Sequence, residues 1–467
     1  MTAGFPNELW SETFAYLPPP SLISLHSTSR SFHGLSRPLL FKHFDFHPFQ
    51  ISGPIQGQLR FAGQSGIDRN VRRLEFWTSN EIAPFVQGCS VSAIRRSADN
   101  PARVFAAFFK LLPNLYNLRG LSCCLVDFDQ AAVISLSSFP NLVRLQIISC
   151  NLRGNLGVLP LLRVTTFVMN QMGHLESLKV AGVHRWIKIL DTDRLDDLRI
   201  QPPPSSTVFL ENASTSSFHH IHTLLVGITS WSQLPILSNF SAIRNLQITA
   251  CPPWNSETQA LLFPHLMTYD GPHEVLLLLH PRASPKRVAI RGCDPVLLLE
   301  RFGTNHSIMR RVEQLVLWSD SLQAEVLLKI LQSFPNLSEF RLNVVQLPGV
   351  LPDAGTHTPQ SFFESLKTSS PFPSCVQKIY IAWQIGGPSH EPFSLSSVQL
   401  QKISDGIQRV HDDLKCIWLV VWGCQYLWIR GADDPYVRTK YYGGWNLEFE
   451  FSPPDTKDTF AVLYHNA

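Results

Sequence analysis

The chain has 467 residues, 44% of them apolar and 16% charged, with a formal net charge of +3. That length and apolar content predict a folded protein with a large core, built as several domains or as one extended array. The near balance of charge gives no electrostatic case for nucleic acid, and the longest apolar stretch, Cys416 to Ile429, is broken by Gly423 and Gln425 and reads as strands instead of a membrane span.

Residues 5–46 pack three short apolar-patterned segments between proline and serine breaks. After Pro6, the residues Leu9, Trp10, Thr13, Phe14 and Leu17 share one broad helical face. Pro18-Pro19-Pro20 ends that helix, since proline lacks the amide donor. Ser21 reads as the N-cap of a second helix carrying Leu22, Ile23 and Leu25, which Ser27-Thr28-Ser29 breaks. A third segment carries Phe32 and Leu35 and is expected to stop before Pro38, with Leu39 to Phe46 as an apolar tail. So little chain buries a small core, and its apolar excess points to a partner surface.

The order Pro6, Glu8, Leu9, Phe14, Leu17, Pro18, Leu22, Leu25, Ser29, Arg30 and Phe32 resembles the F-box over residues 4–45. Phe5 stands where the family pattern has leucine. The resemblance implies docking on a Skp-type adaptor and, through it, on a cullin. Phe5, Pro6, Leu9, Trp10, Phe14, Leu17, Leu22 and Leu25 are then the candidate adaptor contacts. Some of them must instead hold the helices together, and sequence does not sort them.

Residues 49–70, rich in Gly and Gln, read as a linker between a module over 1–48 and a long region over 71–467. In that region the pattern apolar-x-x-apolar-x-apolar recurs. It appears as Val71/Leu74/Phe76, Leu142/Leu145/Ile147, Leu175/Leu178/Val180, Leu195/Leu198/Ile200, Ile221/Leu224/Val226 and Ile243/Leu246/Ile248. It continues as Val312/Leu315/Leu317, Leu337/Phe340/Leu342, Val376/Ile379/Ile381 and Leu414/Ile417/Leu419, with weaker copies at Leu115/Leu118 and Val288/Ile290. The alternation that closes each unit is a strand pattern. Pro113-Asn114-Leu115, Pro140-Asn141-Leu142 and Pro335-Asn336-Leu337 precede three of the strands.

The motif and its spacing resemble leucine-rich repeats, whose period is roughly 20–29 residues. Cys150, Cys251 and Cys293 fall on the repeat's Asn/Cys position, where a side chain caps backbone groups in the turn. The fold expected is therefore α/β: a three-helix F-box followed by an irregular leucine-rich-repeat-like α/β solenoid, closed by a C-terminal strand cap. The whole resembles F-box/leucine-rich-repeat proteins of fungal type. Residues 346–375, rich in Pro, Ser and Thr, read as an exposed insertion.

Chemistry is sparse. There is no Gly-rich phosphate loop and no HExxH, and the Gly63-Gln64-Ser65-Gly66-Ile67 run lacks the second glycine of a nucleophile elbow. His219, His220 and His222 read as surface histidines, and Cys123-Cys124 as buried thiols. The expectation is no enzyme, no catalytic residue, no cofactor and no metal, with neither nucleic acid nor membrane as a partner. Nine cysteines without framework spacing, in a chain without a basic-then-apolar leader, point to reduced thiols in the cytosol or nucleus.

In each repeat the residues flanking the inner strand positions face solvent. Early units place Arg144, Gln146, Lys179, Arg199, Asn245 and Gln247 there, and later ones Trp318, Arg341, Tyr380 and Trp418. Aromatic residues and arginine dominate binding hot spots, so those last four are the candidate target contacts. On the resemblance, the chain is a substrate-recognition subunit of a Skp/cullin/F-box ubiquitin ligase, holding a target of unread identity. The alternative is a non-ligase interaction scaffold.

Overall fold

The computed structural model describes residues 6–51, 59–61, 64–93, 102–154, 160–171, 182–201, 203–213, 218–252, 261, 263–280, 282–292, 294–302, 306–319, 324–346, 372–385, 405, 413–421, 424–430 and 436–440. The chain divides into two compact units, Met1–Thr229 and Ser230–Ala467. Both are mixed α/β, and each carries a parallel sheet.

The first unit opens with helices α1 (Asn7–Ala15), α2 (Pro19–His26) and α3 (Arg30–Leu40). Their boundaries differ from expectation in two places. Pro19 and Pro20 do not separate α1 from α2 but form the first turn of α2. The amide that proline lacks is one a first turn leaves unpaired anyway. Helix α3 runs through Pro38, where the bond lost would have reached the carbonyl of exposed Gly34, which water can satisfy. The Ser29 side chain accepts from the Phe32 amide at 3.1 Å and so starts α3.

The tail after α3 is strand β1 (His43–Phe46), with Phe44 and Phe46 fully buried and His43 and Asp45 exposed. An antiparallel pair comes next, β2 (Phe49–Ile51) and β3 (Leu59–Phe61). Helix α4 spans Gln64–Trp77, so the Val71/Leu74/Phe76 unit is helical and not a strand. Ile67, Val71, Leu74 and Thr78 recur at helical spacing, and Phe76 faces solvent, 51% exposed. The expected linker thus contains strands and the start of a helix.

Beyond it come β4 (Gly88–Ser92), α5 (Ala102–Leu111), β5 (Gly120–Cys124), β6 (Asp127–Phe128), α6 (Gln130–Ser137), β7 (Arg144–Ile148), β8 (Asn151–Leu152) and β9 (Thr166–Asn170). The unit closes with α7 (Val183–Lys188), β10 (Asp197–Gln201), α8 (Pro203–Ala213) and β11 (Thr223–Val226). Its parallel sheet runs β1-β4-β5-β7-β9-β10-β11, while β6 and β8 pair beside it. The strands of this sheet therefore lie side by side in chain order, each parallel to the one before it.

Besides β1, three strands of this sheet lie outside the leucine pattern. β4 carries Val86/Cys89/Val91, β5 Leu118/Leu121/Cys123 and β9 Val164/Phe167/Met169, all at most 2% exposed. These are the same unit with Cys, Phe or Met in leucine slots. The Leu115/Leu118 copy stands three residues ahead of the true unit. The Leu175/Leu178/Val180 unit and Lys179 lie outside the described residues.

The second unit holds β12 (Asn245–Ile248), β13 (Thr268–Gly271), α9 (His273–Leu278), β14 (Arg287–Ile290), α10 (Pro295–Phe302), α11 (His306–Met309), β15 (Gln314–Ser319) and α12 (Ala324–Gln332). It ends with β16 (Glu339–Gln346), β17 (Lys378–Ile385), β18 (Cys416–Val421), β19 (Cys424–Ile429) and β20 (Tyr436–Lys440). Strands β12 to β18 are parallel and again run in chain order, and β19 and β20 add antiparallel at the C-terminal edge. Residues 347–371, most of the expected insertion, are outside the described residues, as are Gly431–Pro435 and Gly443-Gly444.

The Pro-Asn-Leu motif stitches neighbours together. Asn141 Nδ2 donates to the Tyr116 carbonyl at 3.2 Å and Asn336 Nδ2 to the Arg310 carbonyl at 2.5 Å, each in the preceding turn. Cys150 Sγ donates to the Cys123 carbonyl at 3.2 Å, the capping role expected of it. Cys251 instead faces Glu274, and Cys293 lies outside the described residues. No helix among the described residues is long and apolar enough to cross a membrane.

Candidate functional site

Each unit presents one candidate surface. The first is the helical module. Its core is an aromatic triad: Phe14 meets Phe32 edge-on at 5.2 Å, and Trp10 lies 5.7 Å from Phe14 and 5.1 Å from Phe32. Phe14 is 1% exposed and Leu22 6%. Leu9 is 42% exposed and Ile23 61%, Pro6 is also exposed, and Trp10, Leu17 and Leu25 are partly so. The structure thus sorts the candidate contacts. Phe14 and Leu22 hold the helices together, and Pro6, Leu9, Trp10, Leu17 and Leu25 reach the surface. Phe5 lies outside the described residues. Exposed Ile23 and Tyr16 join that surface, and only their place on the helix faces could have revealed them.

Between α2 and α3, the rings of His26 and His33 lie 3.9 Å apart, tilted by 31°, and His26 Nδ1 lies 3.0 Å from the Ser36 hydroxyl. Ser36 is buried and donates to the Phe32 carbonyl at 2.7 Å. Burial, then the neighbouring His33 and Arg37, hold His26 below the ordinary histidine range. The module is fastened to the chain beyond it. Arg37 bonds the Glu81 carboxylate at 3.2 Å and its carbonyl at 3.0 Å, and Phe44 stacks on Trp77 at 4.6 Å.

The second surface is the outward face of β13–β18, opposite the buried row Leu315/Leu317, Phe340/Leu342 and Ile379/Ile381. Strand register puts Arg341, Tyr380 and Trp418 side by side. Trp318 pairs with Asn343, one strand over and one step further along. Arg341 is held by Glu339, with Nε and Nη2 at 2.9 and 2.8 Å from Oε1, and stacks 4.6 Å from the Tyr380 ring centre. Tyr380 in turn lies 5.8 Å from Trp418.

Asp270 and Arg291 repeat this arrangement. Two 2.6 Å bonds join them, and the guanidinium lies 5.0 Å from the centre of Trp318. Acid, arginine and aromatic ring thus recur as a fixed stack, in which the acid orients the cation and the cation rests on the ring. Burial, then the Glu339 charge, push the Tyr380 hydroxyl well above the phenol range, so it stays a protonated donor. Asp270, Arg291, Glu339 and Lys378 escaped the sequence reading. The signal available was their position two residues from, or next to, an inward apolar residue.

The corresponding face of the first unit is different. Small residues Gly88, Ser90, Ser92, Gly120 and Ser122 share it with Arg144, Gln146 and the Asp197–Arg199 pair. Asn245 and Gln247, on β12 of the second unit, are exposed and partly exposed. His222 pairs with Asp196, and no cluster of metal-ligating side chains occurs among the described residues. Burial, with nearby thiols adding to it, drives the Cys123 thiol well above its ordinary range, so it is an inert core group.

Residues 4–44 match the model of the F-box domain. No curated protein matches the chain.

Proposed function

We propose that this chain is a substrate receptor of a Skp/cullin/F-box-type ubiquitin ligase. The observation that carries the reading is the F-box match over residues 4–44, on helices that leave Leu9 and Ile23 uncovered. A Skp-type adaptor would bind there, with a cullin recruited through it. Pro6, Leu9, Trp10, Leu17 and Leu25 are the proposed contacts, on the support of Phe14 and Leu22.

The remainder is proposed to be an irregular leucine-rich-repeat-like solenoid that presents the target. Chain-order parallel strands and turn asparagines that bond the preceding turn support this reading. Trp318, Arg341, Tyr380 and Trp418 are the proposed target face. On this account the chain supplies no catalytic group and no cofactor. It acts by raising the effective concentration of the target's lysines near the conjugating enzyme.

The test is co-purification. Wild-type chain should carry a Skp-type adaptor and a cullin, and the pair Leu9→Ala/Leu17→Ala should lose both while the fold persists. Retention of adaptor and cullin by that variant overturns the assigned contact surface. Target capture by a chain that recruits no adaptor would assign it to the scaffold class instead.

A further inference from the structure

We infer that the outward face of β13–β18 takes a carboxylate-rich peptide segment bearing an apolar or aromatic side chain. The inference rests on reading this face as the target site and adds the chemistry of its partner.

Charge complementarity carries it. Setting aside Arg287, which has an interaction of its own, the face holds, among the described residues, the cations Arg291, Arg341 and Lys378 against the acids Asp270 and Glu339. Both acids are already committed to arginines, Asp270 to Arg291 and Glu339 to Arg341. The surplus is therefore positive, and Lys378 sits beside Glu339 in register, at the same edge of the patch. Arg341 spends Nε and Nη2 on Glu339, and its Nη1 donors have no partner among the described residues. The Tyr380 hydroxyl adds a further donor. Among the described residues the face thus offers donors and positive charge, and both of its acids are already neutralised by arginines. A basic segment would find no uncommitted acid among these residues.

The aromatic groups supply the second half. Trp318 and Tyr380 each lie against a guanidinium, leaving the partly exposed side of the ring for an apolar residue of the partner. Arg–aromatic stacks of this kind are pre-ordered, so little side-chain freedom is lost on binding. The first unit's face lacks both features. Its Asp45, Arg144, Asp197 and Arg199 balance, and no aromatic residue lies among its outward positions on β4–β11.

Fluorescence anisotropy on the purified full-length chain tests this. The probes are labelled peptides of alternating glutamate and phenylalanine, of glutamine and phenylalanine, and of lysine and phenylalanine. The glutamate peptide should bind at least about tenfold tighter than the glutamine one, with affinity falling as salt rises. The lysine peptide should bind least. Lys378→Glu and Trp318→Ala should each weaken the glutamate peptide about tenfold or more. Arg144→Glu, on the other unit's face, should not. Circular dichroism and thermal melting of each variant establish that it is folded.

Equal binding of the glutamate and glutamine peptides, or no effect of Lys378→Glu in a folded chain, overturns the inference. Adaptor co-purification reads the ligase assignment separately. Intact adaptor capture with no peptide discrimination sinks the acidic-partner inference alone. If Trp318→Ala still abolishes capture of an identified target, the face stands and its chemistry is wrong.

Discussion

Phe14 and Leu9 sit five residues apart on α1, and both belong to the apolar set that the F-box pattern marks. The structure predicts opposite consequences for replacing them. Phe14 is 1% exposed and wedged between Trp10 and Phe32. Phe14→Ala removes a buried ring from a module with few other core residues, at a cost of about 3–5 kcal/mol. Lost ring–ring contacts add about 0.5–1.5 kcal/mol. Against a total domain stability of about 5–15 kcal/mol, that is a large fraction of what holds α1–α3 together. Leu9, 42% exposed, has only part of its surface to lose, and Leu9→Ala should cost about 1 kcal/mol or less.

Hydrogen exchange by mass spectrometry separates the cases. Phe14→Ala should speed exchange across Asn7–Leu40 about a hundredfold or more, with strands β7–β10 unaffected. Leu9→Ala should leave exchange unchanged and weaken adaptor binding. The reasoning fails if Phe14→Ala leaves exchange of α1–α3 at the wild-type rate.

Four further outcomes rest on local geometry. A Cβ on Gly271 would meet the Ile248 carbonyl and the Tyr269 hydroxyl, both at 2.9 Å, so Gly271→Ala should destabilise by about 1–3 kcal/mol in a denaturant melt. Gly88→Ala meets only the His43 ring, which can rotate away, so it should cost under about 1 kcal/mol and move the His43 proton resonances. Asn336→Ala removes the bond to the Arg310 carbonyl and should cost about 0.5–1.5 kcal/mol, while Asn336→Asp, which keeps an acceptor but no donor, should not restore it. Burial, then Glu274, push the Cys251 thiol up to about 12. The unfolded thiol ionises near 9, so its contribution to stability is complete below that pH and is lost as pH rises to about 12. Cys251→Ser should flatten that part of an alkaline unfolding profile.

Much of the architecture was legible because its signal is a period. Leu145/Ile147, Leu315/Leu317 and Phe340/Leu342 alternate as half-buried strands must, and all six face the core. The failures share one cause: spacing does not specify backbone. Val71 and Leu74 lie three apart, which suits the turn into a strand and a helical face equally, and α4 takes them as helix. Cys89, Cys123 and Met169 fill leucine slots because a buried strand position demands apolar volume and not one residue type. The candidate faces were half legible. Arg341, Tyr380 and Trp418 lie side by side because strands in chain order align by register. The acids that fix the arginines could not be found without that register, and nothing in residues 5–25 announced which apolar groups point inward.

The join between α3 and β1 has a consequence for how this chain can vary. Only Phe41 and Lys42 separate Leu40 from a strand whose Phe44 and Phe46 are fully buried and whose partner is β4. Because a strand turns its side chains over at every step, sliding β1 by one residue against β4 would swing both rings into water and bring His43 and Asp45 inward, while a slide of two would restore the facing. A join this short leaves little slack for such a slide, so the length of the connection helps to hold the register that keeps both rings inside.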